Sequence, residues 1–214
     1  MRFFNLYCAK KRIFVGNFAG SGYQFACQSA SYDIFSTLEA MFIKNDRIAL
    51  RCAEPTDAQL IYRWENDREV WRVSGTYVPY TRFQIEQFLL SNNDLFSQKQ
   101  LRLMIVRCDD ASPIGCLDLY DYDPINERVS IGILIDKPFR RQGHAQAALA
   151  LCLDYVFHDL MLHQAHCVID ELNVESRHLF EKQGFVLCGR RKEWIKTAEG
   201  FLDELEYQRV NEVG

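Results

Sequence analysis

Hydrophobic and polar positions fall into regular periods from about Asp46 onward. Arg47 to Cys52 reads as a short strand. Thr56 with Gln59 three residues on has the capping-box spacing, and Leu60, Ile61 and Trp64 form the apolar face of the helix it opens. Thr81 with Gln84 repeats that spacing, and Ile85, Phe88 and Leu89 carry a second helix. Leu101 to Cys108, Ile114 to Tyr122 and Arg128 to Ile135 then read as three strands joined by turns at Asp109 to Pro113 and Asp123 to Asn126, a β-meander. Ala145 to Leu160 has a helical stripe of Ala145, Ala148, Leu149, Cys152, Val156 and Leu160. His166 to Leu172 reads as a strand, Glu175 to Gln183 as a short helix ended by Gly184, and Val186 to Trp194 with Phe201 to Val210 as a closing hairpin.

Residues 1 to 40 lack either period. They hold four basic residues (Arg2, Lys10, Lys11, Arg12) and two acidic ones (Asp33, Glu39), and are expected to be an N-terminal extension to a unit spanning residues 41 to 214. As a secretion leader the apolar patch Ile13 to Ala19 is short and broken by Gly16 and Asn17.

Composition narrows the classes. Of 214 residues, 48% are hydrophobic and 25% charged, which fits a folded globular chain rather than a disordered or fibrous one. No stretch reaches the roughly 18 continuous apolar residues of a spanning helix, so no membrane partner is expected. A net charge of −4 disfavours a nucleic-acid partner, which needs a basic footprint, and suits a cationic one. The eight cysteines include no Cys-x-x-Cys pair, so no metal is expected; reduced, buried thiols and a cytoplasmic location fit their scatter.

The informative stretch joins the strand ending at Ile135 to the helix opening at Ala145: Ile133-Leu134-Ile135-Asp136-Lys137-Pro138-Phe139-Arg140-Arg141-Gln142-Gly143-His144-Ala145. A strand feeding a glycine-bearing loop and then a helix aims backbone N–H groups and the positive helix end at one spot, which is an anion site. Neither a Walker loop nor a dinucleotide fingerprint is present, since no Lys-Ser/Thr follows the glycine and G-x-G-x-x-G is absent.

The stretch resembles the Q/R-x-x-G-x-G/A motif of the GNAT superfamily of N-acetyltransferases, through Arg140, Gly143 and Ala145. A second block, Asn173-Val174-Glu175-Ser176-Arg177-His178-Leu179-Phe180-Glu181-Lys182-Gln183-Gly184-Phe185, is similar to the family's Asn-x-x-Ser-x-x-Leu-Tyr/Phe-Glu-Lys-x-Gly-Phe signature. Arg63 to Asp67 is further similar to the spermidine and ribosomal-protein-alanine branches. The resemblance covers about residues 46 to 210. It implies an α/β (α+β) GNAT fold: a mixed, mostly antiparallel sheet of about seven strands flanked by about four helices, splayed by a bulge between strands four and five.

It also implies acetyl-CoA as cosubstrate, with main-chain groups of Ile133, Leu134 and Ile135 pairing with its pantetheine arm. Arg140, Arg141, Gln142, Gly143, His144 and Ala145 would hold the diphosphate, and Asn173, Phe180 and Lys182 would flank the arm. The acceptor is then a primary amine, either a small cationic one such as a polyamine or, as an alternative, a peptide terminus; a non-catalytic acyl-CoA-binding module is a second alternative. A homodimer is compatible with this reading.

Acetyl transfer raises a proton problem. With an ordinary pKa near 10.4, roughly one alkylamine molecule in 2,500 is neutral at pH 7, a penalty of about 4.6 kcal/mol. Many family members carry a Glu where this chain reads Val129-Ser130-Ile131, so Asp118, and after it Glu65, are the substitute bases. Asp118, Tyr120 and Tyr122 share a face by the period of two. Phe180 stands where many relatives use a Tyr to protonate the leaving thiolate; the ammonium product or water can supply that proton, and the resemblance to the ribosomal-protein branch implies Ser176 as the alternative acid. Direct attack in a ternary complex, without an acetylated cysteine, is the expected route. Five acidic residues between Glu54 and Glu69 against two basic ones suggest an acidic wall for a cationic acceptor, with Trp194 and Asp203-Glu204 as further rim candidates.

Overall fold

A computed structural model describes residues 43–91 and 93–212. The 1 to 40 segment lies outside the described residues. Among those described, eight strands form one sheet with six α-helices around it. The strands are β1 (Ile43–Lys44), β2 (Ile48–Cys52), β3 (Gln100–Arg107), β4 (Pro113–Asp123), β5 (Arg128–Ile135), β6 (Gln164–Asp170), β7 (Val186–Thr197) and β8 (Gly200–Val210). The helices are α1 (Ala58–Glu65), α2 (Arg68–Ser74), α3 (Arg82–Ser91), α4 (Leu95–Gln98), α5 (His144–Asp154) and α6 (Val174–Lys182).

Strand order is β1, β2, β3, β4, β5, β6, β8, β7, antiparallel throughout except for the parallel pair β5/β6. That one parallel junction decides the site. It holds only three register pairs, Arg128 with Gln164, Val129 with Ala165 and Ser130 with His166. Beyond them β6 continues paired with β8 alone while β5 continues paired with β4 alone. The sheet therefore opens into a V from Ile131 onward. The short β1 shifts the count, so the expected gap between the fourth and fifth strands is the gap between β5 and β6.

The bulge is not where it was expected. β4 and β5 stay in continuous register from Gly115/Ile135 to Tyr120/Ser130, and the irregularity lies between Tyr120 and Asp123, where Asp121 takes φ 51°. The period of two is thereby broken after Tyr120, and Tyr122 packs edge-on against Phe96 with ring centroids 5.8 Å apart.

Gly115 shows how closely β4 and β5 are seated, because a Cβ there would lie 2.2 Å from the Leu134 carbonyl oxygen, a backbone atom that cannot swing away. Gly115→Ala is expected to lower stability by about 3 kcal/mol through this overpacking; an unchanged urea midpoint would contradict the close approach.

The helix starts have mixed origins. Thr81 and Gln84 form the expected capping box, with Gln84 N donating to Thr81 Oγ1 at 3.2 Å and Thr81 N to Gln84 Oε1 at 2.7 Å. The Thr56/Gln59 box does not form. Glu54 and Asp57 take that role around a 3-10 turn at Pro55–Asp57, because Pro55 suits the first turn of a helix. The long helix from Ala145 stops being α at Asp154 and ends in a π turn at Tyr155–Asp159.

Candidate active site

The V between β5 and β6 opens into a cleft of about 720 Å³. Its walls are the open edge of β5, the start of α5, and α6, with Glu69 and Val70 of α2 at one side. Ile133, Leu134, Ile135, Arg140, Arg141, Gly143, His144, Ala145, Asn173, Ser176 and Lys182 all line it.

Alternation along β5 sorts its main-chain groups. Asp136 N donates to Ile114 O, and the Leu134 carbonyl lies against Gly115, so the even-numbered groups face β4. The N–H groups of Ile133 and Ile135 and the C=O of Ile133 therefore face the gap, while the Ile135 carbonyl accepts a 2.9 Å bond from Arg140 Nε. Leu134 lends the cleft its side chain rather than its backbone.

At the mouth of the gap, Gly143 is the N-cap of α5 with φ 81°, ψ 0° and no side-chain cap. The first N–H groups of α5, at His144, Ala145 and Gln146, have no intrahelical acceptor and point where the helix dipole is positive. Arg141 also adopts a positive φ of 60°. The loop is tied to the α1/α2 corner by Arg63 to Asp136 at 2.7 Å and by Lys137 to Asp67 at 2.9 Å and Glu69 at 3.1 Å. The Lys137 bond holds the Asp67 carboxyl below its usual range.

Asn173 caps α6, its Oδ1 accepting from Ser176 N at 3.2 Å, and lines the cleft as well. Gln142 instead turns to a neighbouring hollow of about 450 Å³, where its carbonyl accepts from Arg47 Nη2 at 2.9 Å. His144 borders both spaces; it is 8% exposed and its Nδ1 has no partner among the described residues. Burial pushes its pKa down, with Arg47 and Arg107 adding to the effect. Phe180 is fully buried, stacked edge-on with Phe185 at 5.0 Å, and does not line the cleft.

The two substitute bases lie together, but not in the cleft. Arg102 on β3 clamps Asp118 with two bonds of 2.7 and 2.9 Å and reaches Glu65 Oε1 at 2.6 Å, with Phe88 5.5 Å beneath its guanidinium. Exposure is 3% at Arg102, 2% at Asp118 and 4% at Glu65. Burial, opposed by Arg102, raises the Glu65 pKa, and Asp118 raises it further; Glu65 Oε2 lacks a partner. The carboxylates hold the buried guanidinium charged against its desolvation. Asp118 has both carboxylate oxygens engaged by the Arg102 guanidinium.

The acidic wall is largely paired: Asp57 to Arg51 at 2.7 Å, Glu65 to Arg102, and Asp67 and Glu69 to Lys137. Glu69 and Glu175 are the carboxylates that line the cleft. Trp194 lies outside it under Arg191, and Glu204 is buried against Arg191.

Of the described cysteines, Cys116, Cys152 and Cys167 are buried while Cys52 and Cys188 are exposed, so the expectation of buried thiols holds for only part of the set. Burial pushes the Cys152 and Cys167 thiols far up, leaving neither a thiolate at neutral pH. Among the described residues no group of three or more His, Cys, Asp or Glu is placed to hold a metal ion, and no helix is long and apolar enough to cross a membrane.

The family model described as acetyltransferase (GNAT) domain matches residues 47–186. The chain belongs to the GNAT acetyltransferases, a family of acyltransferase enzymes. It is 27% identical over 142 residues to spermidine N(1)-acetyltransferase of Escherichia coli (strain K12), covering 66% of this chain and 74% of that protein. The match to spermidine N(1)-acetyltransferase of Vibrio cholerae is 27% over 169 residues, covering 78% and 91%. The crystal structure of spermidine N-acetyltransferase from Vibrio cholerae in complex with CoA and spermine superposes with a TM-score of 0.71 at 23% identity, over 78% of this chain and 96% of that one.

Proposed function

We propose that this enzyme transfers the acetyl group of acetyl-CoA to a primary amine, and that the acceptor is a polyamine or a similar small cation. The observation that carries the reading is the open β5 edge leading to an uncapped helix N-terminus flanked by Arg140 and Arg141. A thin, amide-bearing chain ending in a diphosphate fits that combination: the N–H groups of Ile133 and Ile135 and the C=O of Ile133 for the amides, and cations with helix N–H groups for the phosphates.

Acetyl-CoA supplies an activated thioester carbonyl. Arg140, Arg141, Gly143, His144 and Ala145 would anchor its diphosphate, and Asn173, Ser176 and Lys182 form the α6 wall beside its arm. The N–H at the open edge is available to a carbonyl oxygen as negative charge grows on it. Ser176 is the proton donor to the departing thiolate. A thiol of ordinary pKa near 8.5 leaves without a strong acid, so Phe180 at the family's Tyr position is tolerable. The buried, protonated Cys152 and Cys167 support direct attack by the amine. The resemblance to spermidine acetyltransferases supports a cationic acceptor; the carboxylates on the cleft rim, Glu69 and Glu175, are bridged to Lys137 and Arg141.

Thiol release from acetyl-CoA across a panel of polyamines, monoamines and peptides tests the reading. Release with polyamines above the other classes is expected. CoA binding without release from any amine would overturn it in favour of a binding module, and peptide-only release would overturn the acceptor.

A further inference from the structure

The acetyltransfer reading needs a taker for the ammonium proton, and Asp118 and Glu65 are both bound to the Arg102 guanidinium. The vertex of the V offers another group. Ser130, at the stretch where many relatives carry a Glu, is 2% exposed and lies 3.0 Å from His166 Nε2 through its Oγ. Ser130 and His166 are the last rung of the β5/β6 pairing, so they close the gap from below.

Register puts both on one face of the sheet. Tyr120 pairs with Ser130, Asp118 with Gly132, and Arg102 with Asp118, so Ser130 and His166 share the face that α1 and α3 cover through Glu65 and Phe88. About 17 Å of strand runs from Ile135 at the mouth to Ser130 at the vertex, a span suited to an extended pantetheine arm. Ser130 is the deep member and His166 the half-buried outer one, so the pair leads from the gap toward solvent.

We propose that the Ser130–His166 pair takes the proton that the ammonium acceptor must lose, a role resting on the acetyltransfer reading above. The ammonium N–H gives its proton to Ser130 Oγ as the Ser130 hydroxyl proton passes to the neutral His166 ring. The freed amine lone pair forms the C–N bond, the C–S bond breaks with its electrons on sulfur, and the second proton shed by the nitrogen replaces the one that Ser176 Oγ gives to the thiolate. The imidazolium returns its own to water. Overall, ammonium plus thioester gives amide, thiol and one released proton.

Charged groups around the ring are Glu206 from β8, Asp121 from β4, Arg128 from β5 and Arg191 from β7. Burial lowers the His166 pKa, Arg128 and Arg191 act in the same direction, and Glu206 and Asp121 oppose them. The ring is thus neutral, and ready to accept, at pH 7.

The test compares His166→Gln and Ser130→Ala with the parent enzyme on the best amine of the panel and on an analogue fluorinated beside the reacting amine, whose reacting nitrogen is already largely neutral at pH 7. With the basic amine each variant should lose about 100-fold in kcat/KM, and His166→Gln should lose the acid limb of the pH profile. With the fluorinated amine the loss should be at most a few-fold, and CoA affinity should not change. Equal slowing of both amines, or an unchanged acid limb, overturns the inference while leaving acetyl transfer intact. Absence of release from every amine in the parent enzyme instead overturns acetyl transfer and this role with it. Should a variant not fold, the parent decides: the acid limb must coincide with the NMR titration of the His166 ring, and a mismatch overturns the inference.

Discussion

Arg102→Met is expected to destabilise the fold by about 4 kcal/mol, since it strands two carboxylates in the interior without their cation. Asp118 loses both of its bonds from the guanidinium, and Glu65, already with one unpartnered oxygen, loses its contact through the other. The loss should depend on pH. In the variant, burial and mutual repulsion raise the folded-state carboxyl pKa values above their unfolded values. Such groups contribute stability below the unfolded pKa near 4 that is lost as pH rises through the folded one. Urea unfolding of parent and variant at pH 5 and pH 8 checks this, with a larger deficit expected at pH 8. Equal deficits would mean that the cluster acts through packing, including the Arg102 contact with Phe88, rather than through charge.

The second large effect is expected at Gly143. A Cβ there meets only Arg47 Nη1 at 3.5 Å, an ordinary contact, so space is not the obstacle; the φ of 81° is. Gly143→Asp should cost the fold only about 1 kcal/mol, because Asp tolerates the left-handed region better than most residues. It should weaken CoA binding about 100-fold by setting a carboxylate where the helix N–H groups meet the diphosphate. Calorimetric titration with CoA, beside a thermal melt, separates the two effects. Parent-like affinity would remove the diphosphate from this loop.

What the chain discloses in advance is local. The strand Arg128 to Ile135, the loop to Gly143 and the capping Asn173 are legible because each feature is written within a few consecutive residues. What the sequence hid depends on register. Arg102 reads as an ordinary polar strand position, and its meaning comes from Glu65, 37 residues away, and Asp118, 16 away. His166 gains a role only because the parallel pairing sets it opposite Ser130 and then ends. Near the N-terminal helix, two i, i+3 pairs compete, and Pro55 favours Glu54/Asp57 over Thr56/Gln59. Helix α2 escaped notice because Arg68 to Ser74 reads as part of a charged segment before its apolar residue Val70 is seen to be buried. Asp121 shows no bulge signal of its own, and its positive φ is what limits the alternation read from Asp118 onward.

The central claim is that the cosubstrate's arm completes the unpaired edge of β5. Residue-resolved amide hydrogen exchange with and without CoA tests it most directly, read at Ile133 and Ile135 against Leu134 and Asp136. Protection at the two odd-numbered amides on CoA addition, with the already bonded even-numbered ones unchanged, is the predicted result; CoA binding without added protection at Ile133 or Ile135 would contradict it.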